Sequence, residues 1–174
     1  MNNKIVSIRK PELNFKSWLV KKTLSKKAPL YKIALSIIPK LPKDQILALI
    51  NTADDNELHQ IFTTMNQTFL ADKDISLAIL QKTSFYYFPS IISSLSDQLR
   101  NDEDVILAAL YHSFFNIKAI LEAAGPDARN SKKVILFALD NADHVEISDI
   151  FELVGPDIKE DKDVLTSLKS SHFR

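Results

Sequence analysis

One phrase of this chain is written five times, and that repetition limits what the chain can become. NDEDVILAALYHS at 101–113 follows ADKDISLAILQKT at 71–83 and precedes NSKKVILFALDNA at 130–142 and EDKDVLTSLKSSH at 160–172, with a looser copy, LPKDQILALINTA, at 41–53. Aligned on Asp44, Asp74, Asp104, Lys133 and Asp163, the copies stand 30, 30, 29 and 30 residues apart. A unit of this size cannot bury an apolar face alone, so it must stack on its neighbours. The repeat therefore points to a one-dimensional array.

Each copy opens like a helix. Two residues before the alignment position stand Pro42, Asp72, Asp102, Ser131 and Asp161. Asp and Ser are favoured N-caps and Pro suits the first turn. A carboxylate in that turn faces the positive end of the helix dipole, which accounts for the cluster Asp102, Glu103 and Asp104 better than a cation site does. In the best copy Val105, Leu107, Ala108, Ala109 and Leu110 supply the apolar pattern.

The second half of each unit has its own register. Ile61-Phe62, Ile91-Ile92, Ile120-Leu121 and Ile150-Phe151 recur, followed four residues after the Ile by Met65, Leu95, Ala124 and Val154. These spacings make one apolar helical face. The chain's two glycines, Gly125 and Gly155, share one slot, each inside Gly-Pro-Asp. That signature predicts a helix stop, with the glycine at positive φ and the proline blocking continuation. Each unit is thus expected to be helix, turn, helix, stop. The fold class predicted is all-α, an α-solenoid of four to five helix-turn-helix repeats of roughly 30 residues.

Residues 28–41 read as the second helix of a degenerate first unit, with 14–22 as its partner and 1–13 as an arm. The expected organisation is one domain, with a basic arm and first helix over 1–27 and the repeat array over 28–174. In the final copy, SSHFR follows a single helix.

Composition agrees with a globular helical protein: 45% hydrophobic, 25% charged and only two glycines in 174 residues. With no cysteine, disulfides, thiolate metal sites and Cys nucleophiles are excluded. No apolar run approaches the roughly 18 residues of a membrane span, and MNNKIVSIRKPELNF has no leader-like apolar stretch. A reducing, cytoplasmic setting is the natural reading.

LRNDEDVILAAL at 99–110 resembles the helical repeat of domain-of-unknown-function family 4116, with the similarity strongest over 70–170. Such repeats occur in proteins of intracellular bacteria, secreted effectors among them. The resemblance implies a helical array and a host-directed role, with delivery to a host cytosol by a signal not visible here, and it carries no catalytic residues.

No constellation for chemistry emerges. His59, His112, His144 and His172 share no metal-ligand spacing. His59 near Asp55, and His144 beside Asp143 and Glu146, read as solvated polar residues around turns. Phosphate loops, dinucleotide fingerprints, H-E-x-x-H and serine elbows are missing from the sequence. The expectation is a non-enzymatic protein with no cofactor and no metal.

Two features stand out as surfaces. Between the paired helices the outer units are polar, ADDNE at 53–57 and ADHVE at 142–146, whereas the central ones read SFYYFP at 84–89 and SFFN at 113–116. Aromatics fill cores well, but exposed rows of them mark partner sites. Phe85, Tyr86, Tyr87, Phe114 and Phe115 are the candidate protein-binding residues, Tyr86 and Tyr87 foremost. The second feature is charge. Residues 1–43 hold eleven Lys or Arg against one acid, and 44–174 hold eleven against twenty-one. Trp18 lies one turn before Lys22, and Lys21, Lys22, Lys26 and Lys27 flank Thr23 to Ser25. Such a segment can lie on an anionic membrane, or be attracted to the acidic repeats. Nucleic acid is disfavoured by the acidic body. The leading expectation is a scaffold for a protein partner; the alternative is a peripheral module for anionic lipid.

Overall fold

The computed structural model describes residues 36–113 and 116–171. It divides into two compact units, 1–65 and 66–174. All regular structure among the described residues is helical; the protein is an all-α helical repeat.

In the first unit a 3-10 turn at Ile38–Lys40 leads to α1 (Lys43–Thr52) and α2 (Asp55–Thr64). The polar stretch between the two helices is a capping box. Asp54 accepts from the Glu57 N–H at 2.9 Å, and Glu57 accepts back from the Asp54 N–H at 3.1 Å, so two orphan donors of the helix start are satisfied together. Ile38, Ile46, Leu49, Ile50, Leu58 and Ile61 form the buried core.

In the second unit the repeat becomes explicit. It contains α3 (Gln67–Leu70), α4 (Lys73–Lys82), a 3-10 turn (Phe85–Tyr87), α5 (Phe88–Ser94), α6 (Asp97–Arg100), α7 (Glu103–Tyr111) and α8 (Ile117–Ala123). These are followed by α9 (Pro126–Arg129), α10 (Lys132–Asn141), α11 (His144–Leu153), α12 (Pro156–Lys159) and α13 (Lys162–Ser171). The leading helices α4, α7, α10 and α13 pack side by side as one layer, and α5, α8 and α11 form the other.

The leading helices start where the sequence says. Asp72 accepts from the N–H groups of Asp74 and Ile75, Asp102 from Asp104 and Val105, Asp161 from Asp163 and Val164, and Ser131 from Val134. Their inward face is Ile75, Ser76, Ile79 and Leu80 in α4, and Val105, Ile106, Ala109 and Leu110 in α7. This corrects the register read from sequence: Ile106 is core, while Leu107 and Ala108 are half-buried on the outer side. Helices of about ten residues are marginal alone, so this burial supplies their stability.

The Gly-Pro-Asp slot differs from expectation. Gly125 has φ −74° and ψ 163°, and Gly155 φ −71° and ψ 167°, an extended conformation that the following proline favours. Neither sits at positive φ. Instead of ending a helix, each glycine is the N-cap of a one-turn helix with Pro at its first position. The unit is therefore three helices, two long and one short, and α3, α6, α9 and α12 are the third kind.

The glycines are required by a close approach. A Cβ on Gly125 would overlap the Asn101 carboxamide, and one on Gly155 would come within 2.6 Å of the Asn130 Oδ1. Those asparagines end the preceding short helices and supply the cap the glycines lack. Asn101 Oδ1 accepts from the Asp127 N–H at 2.8 Å, and Asn130 Oδ1 from the Gly155 N–H at 2.6 Å. Where the preceding residue is Ala71 the next cap is Ser96, whose own hydroxyl accepts from the Leu99 N–H. Backbone bonds join the short helices in sequence: the Ser96 N–H donates to the Leu70 carbonyl at 3.2 Å, and the Gly125 N–H to that of Arg100 at 2.8 Å.

Candidate protein-binding surfaces

Ion pairs stitch the N-terminal ends of the leading helices together. Lys73 reaches Asp102 at 2.9 Å and Asp104 at 2.7 Å, and Lys132 reaches Asp161 at 3.0 Å and Asp163 at 2.5 Å. At the junction between them the signs reverse: Glu103 accepts from the Ser131 hydroxyl at 2.9 Å and pairs with Lys133 at 3.1 Å. The first helical residue of one repeat thus grips the cap and second residue of the next. The acidic cluster at 102–104 serves capping and inter-repeat pairing.

Hydrogen bonds from Lys73 hold the Asp104 carboxyl below its ordinary range, those from Lys132 do so for Asp161, and those from Lys133 and Ser131 for Glu103. The Lys73 and Lys132 ammonium groups are correspondingly raised by their carboxylate partners. A depressed carboxylate contributes stability above its unfolded pKa and loses it as pH falls through the folded value. The raised lysines contribute below their unfolded pKa and lose it as pH rises through the folded one. We expect Lys132→Met to melt slightly below wild type at neutral pH, and the gap to close as pH falls below about 4, where unfolded carboxylates protonate. A gap of equal size at every pH would show that Lys132 acts by packing alone. Exposed pairs of this kind contribute modestly and weaken with salt.

Glu146 behaves in the opposite sense. It occupies the same position in α11 as the box glutamate Glu57 in α2, but its Oε1 accepts from the Lys118 N–H of the neighbouring repeat at 3.3 Å. Burial pushes its carboxyl up. Lys118 meanwhile pairs with Asp149 at 2.6 Å, a further link between the trailing helices α8 and α11.

The aromatic edge at 85–88 is sorted by the turn that carries it. After α4 ends, Ser84 is extended and Phe85–Tyr87 form a single 3-10 turn that runs directly into α5. Successive rings therefore point in different directions. Phe88 is completely buried, Phe85 is half-buried with its ring 4.2 Å from that of Tyr86, and Tyr86 is 73% exposed, with Tyr87 also at the surface. Of the other residues singled out from sequence, Phe114, Phe115, Trp18, Lys21, Lys22, Lys26 and Lys27 lie outside the described residues.

A second surface was missed from the sequence. Between α7 and α10 runs an open groove of about 630 Å³, its walls formed by Leu107, Tyr111, Leu136 and Phe137. Tyr111 is 67% exposed, its ring 6.4 Å from that of Phe137 and edge-on to His112 at 5.3 Å. Lys132 and Lys133 stand at one end and Asp140 at the other. The signal was present: α7 reads EDVILAALY, apolar on more faces than one core contact uses, and such excess needs a second covering. It was assigned to the core because inward and outward residues are of the same types.

Among the described residues no three His, Asp or Glu side chains are placed to hold a metal ion, and no helix is long and apolar enough to cross a membrane. Compared with family models, curated proteins and solved structures, the chain finds no match in any of the three.

Proposed function

We propose that the chain is a non-enzymatic scaffold that binds a protein partner through the outer side of its leading helices and the adjoining aromatic turn. The observation that carries this reading is the groove between α7 and α10. It lies between two packed helices and presents Tyr111 and the half-buried Phe137 to solvent. Binding energy concentrates in aromatic anchors of this kind. Tyr86 and Tyr87 are a second exposed aromatic pair, at the turn following α4. The resemblance to repeats of intracellular bacteria extends the proposal to an effector, or a regulator of one, with a host protein as partner.

The test is affinity purification from a host lysate with wild type and with a Tyr111→Ala/Phe137→Ala variant, each melted alongside. We expect the double variant to keep its fold and to lose the partner by at least about tenfold, as the removal of two anchors implies. Equal retention by both proteins would remove the groove from the reading. The alternative, a module for anionic lipid, rests on Trp18 and its neighbouring lysines. Against it, residues 66–171 carry seventeen acids and ten bases, which repel an anionic surface. Co-sedimentation with phosphatidylserine liposomes would reverse that choice.

A further inference from the structure

We infer that the groove between α7 and α10 receives a cationic amphipathic helix, an assignment that rests on the protein-binding reading and specifies its partner's chemistry. Shape selects a helix. The groove lies between two packed helices, so the ridge of a third fits it. From Lys133 to Asp140 along α10 is seven residues, about 10 Å at the helical rise. That length accommodates two apolar side chains one turn apart, seated between Leu107 and Leu136 and then between Tyr111 and Phe137.

Charge selects a cation. The two lysines at one end are already engaged, Lys132 by Asp161 and Asp163 and Lys133 by Glu103. The other end is not balanced in this way. Asp140 accepts from the Ser167 hydroxyl at 3.1 Å, its one partner among the described residues. Neither α7 nor α10 has a basic residue in its last turn, so the negative ends of both helix dipoles face the same mouth. The rings of Tyr111 and Phe137 add faces on which an ammonium or guanidinium group can rest. His112 stands against Tyr111 at this end, and Lys82 and Lys169 lie in the last turns of the flanking helices α4 and α13. The surrounding unit, with its seventeen acids and ten bases over 66–171, attracts the same kind of partner at longer range. The occupant is a helix with two apolar residues at i and i+4 and a Lys or Arg one turn further on, next to Asp140.

The test uses the full chain and three dye-labelled synthetic helical peptides. They share one apolar face and differ in whether Lys, Gln or Glu flanks it, and binding is read by fluorescence anisotropy at low salt. The Lys peptide should bind at least about tenfold more tightly than the Glu peptide, and the margin should shrink at high salt. Asp140→Asn should reduce that margin and leave the Gln peptide unchanged. Tyr111→Ala, at an exposed position that leaves the fold intact, should weaken all three, and Tyr111→Ala/Phe137→Ala should abolish them. Equal binding of the three peptides would overturn the cationic assignment and leave the scaffold reading standing. Lys-peptide binding that ignores Tyr111→Ala would show only diffuse attraction to the acidic surface, and would overturn it too. No saturable binding of any peptide also overturns it, while partner retention in the lysate experiment reports separately on the scaffold. A concentration-dependent dimer abolished by Tyr111→Ala would give the groove to a second copy of the chain.

Discussion

Gly125→Ser is expected to lower stability by about 1–2 kcal/mol, and adding Asn101→Ala is expected to cost almost nothing more, although Asn101→Ala alone should cost about as much as the serine does. The backbone at Gly125, φ −74° and ψ 163°, suits any residue, so no strain opposes the serine. Its Cβ instead collides with the Asn101 carboxamide, the end of a flexible side chain that can swing away. Swinging away gives up the bond from the Asp127 N–H and the bond that Asn101 donates to the Asp97 carbonyl at 2.9 Å. Loss of such caps typically costs about 1 kcal/mol each. The double variant recreates the pair already present one repeat earlier, where Ala71 precedes a self-capping Ser96. A non-glycine residue in a compatible conformation also restricts the unfolded chain, worth about 0.4–1 kcal/mol. Chemical denaturation of the two single variants and the double variant forms a complete cycle. Strict additivity would show that the two residues do not touch, and would sink the explanation of the glycine.

The second large effect is at the aromatic turn. Phe88→Ala should cost about 3–5 kcal/mol, because it empties a fully buried aromatic site, while Tyr86→Ala two residues away should stay within about 0.5 kcal/mol. Phe88 is 0% exposed and Tyr86 73%. Melting curves separate the two readily. Comparable losses would mean that the turn packs Tyr86 inward and that no aromatic surface exists there.

Legibility followed the range of the physics. Period and caps were readable because each is decided within a few residues: Asp72 and Asp102 cap helices that begin at the next residue. The one-turn helices were not readable. Four residues such as Pro126–Arg129 carry no periodicity, and Gly-Pro serves a helix start as readily as a stop. What decides it is Asn101, some two dozen residues upstream and adjacent only after stacking. The groove was hidden for the same reason, since Leu107 and Ile106 differ in burial but not in kind. In the turn, aromatic content was visible but its orientation was not. Whether Phe88 or Tyr86 is buried depends on a single 3-10 turn between two helices.

The reversal of sign at Glu103 and Lys133 has a consequence for the fidelity of assembly. Tandem repeats with near-identical faces are prone to misassembly in which a unit docks on the wrong neighbour. Here, pairing with the next unit but one would bring Lys73 against Lys133, and Glu103 against Asp161 and Asp163. Among α4, α7, α10 and α13 each in-order junction pairs opposite charges, and both of these skipped junctions pair like ones. Repulsion of that kind discriminates between partners whose apolar surfaces cannot. The ion pairs thus work as an address written along the array, which favours each repeat beside the one that follows it over the next one along.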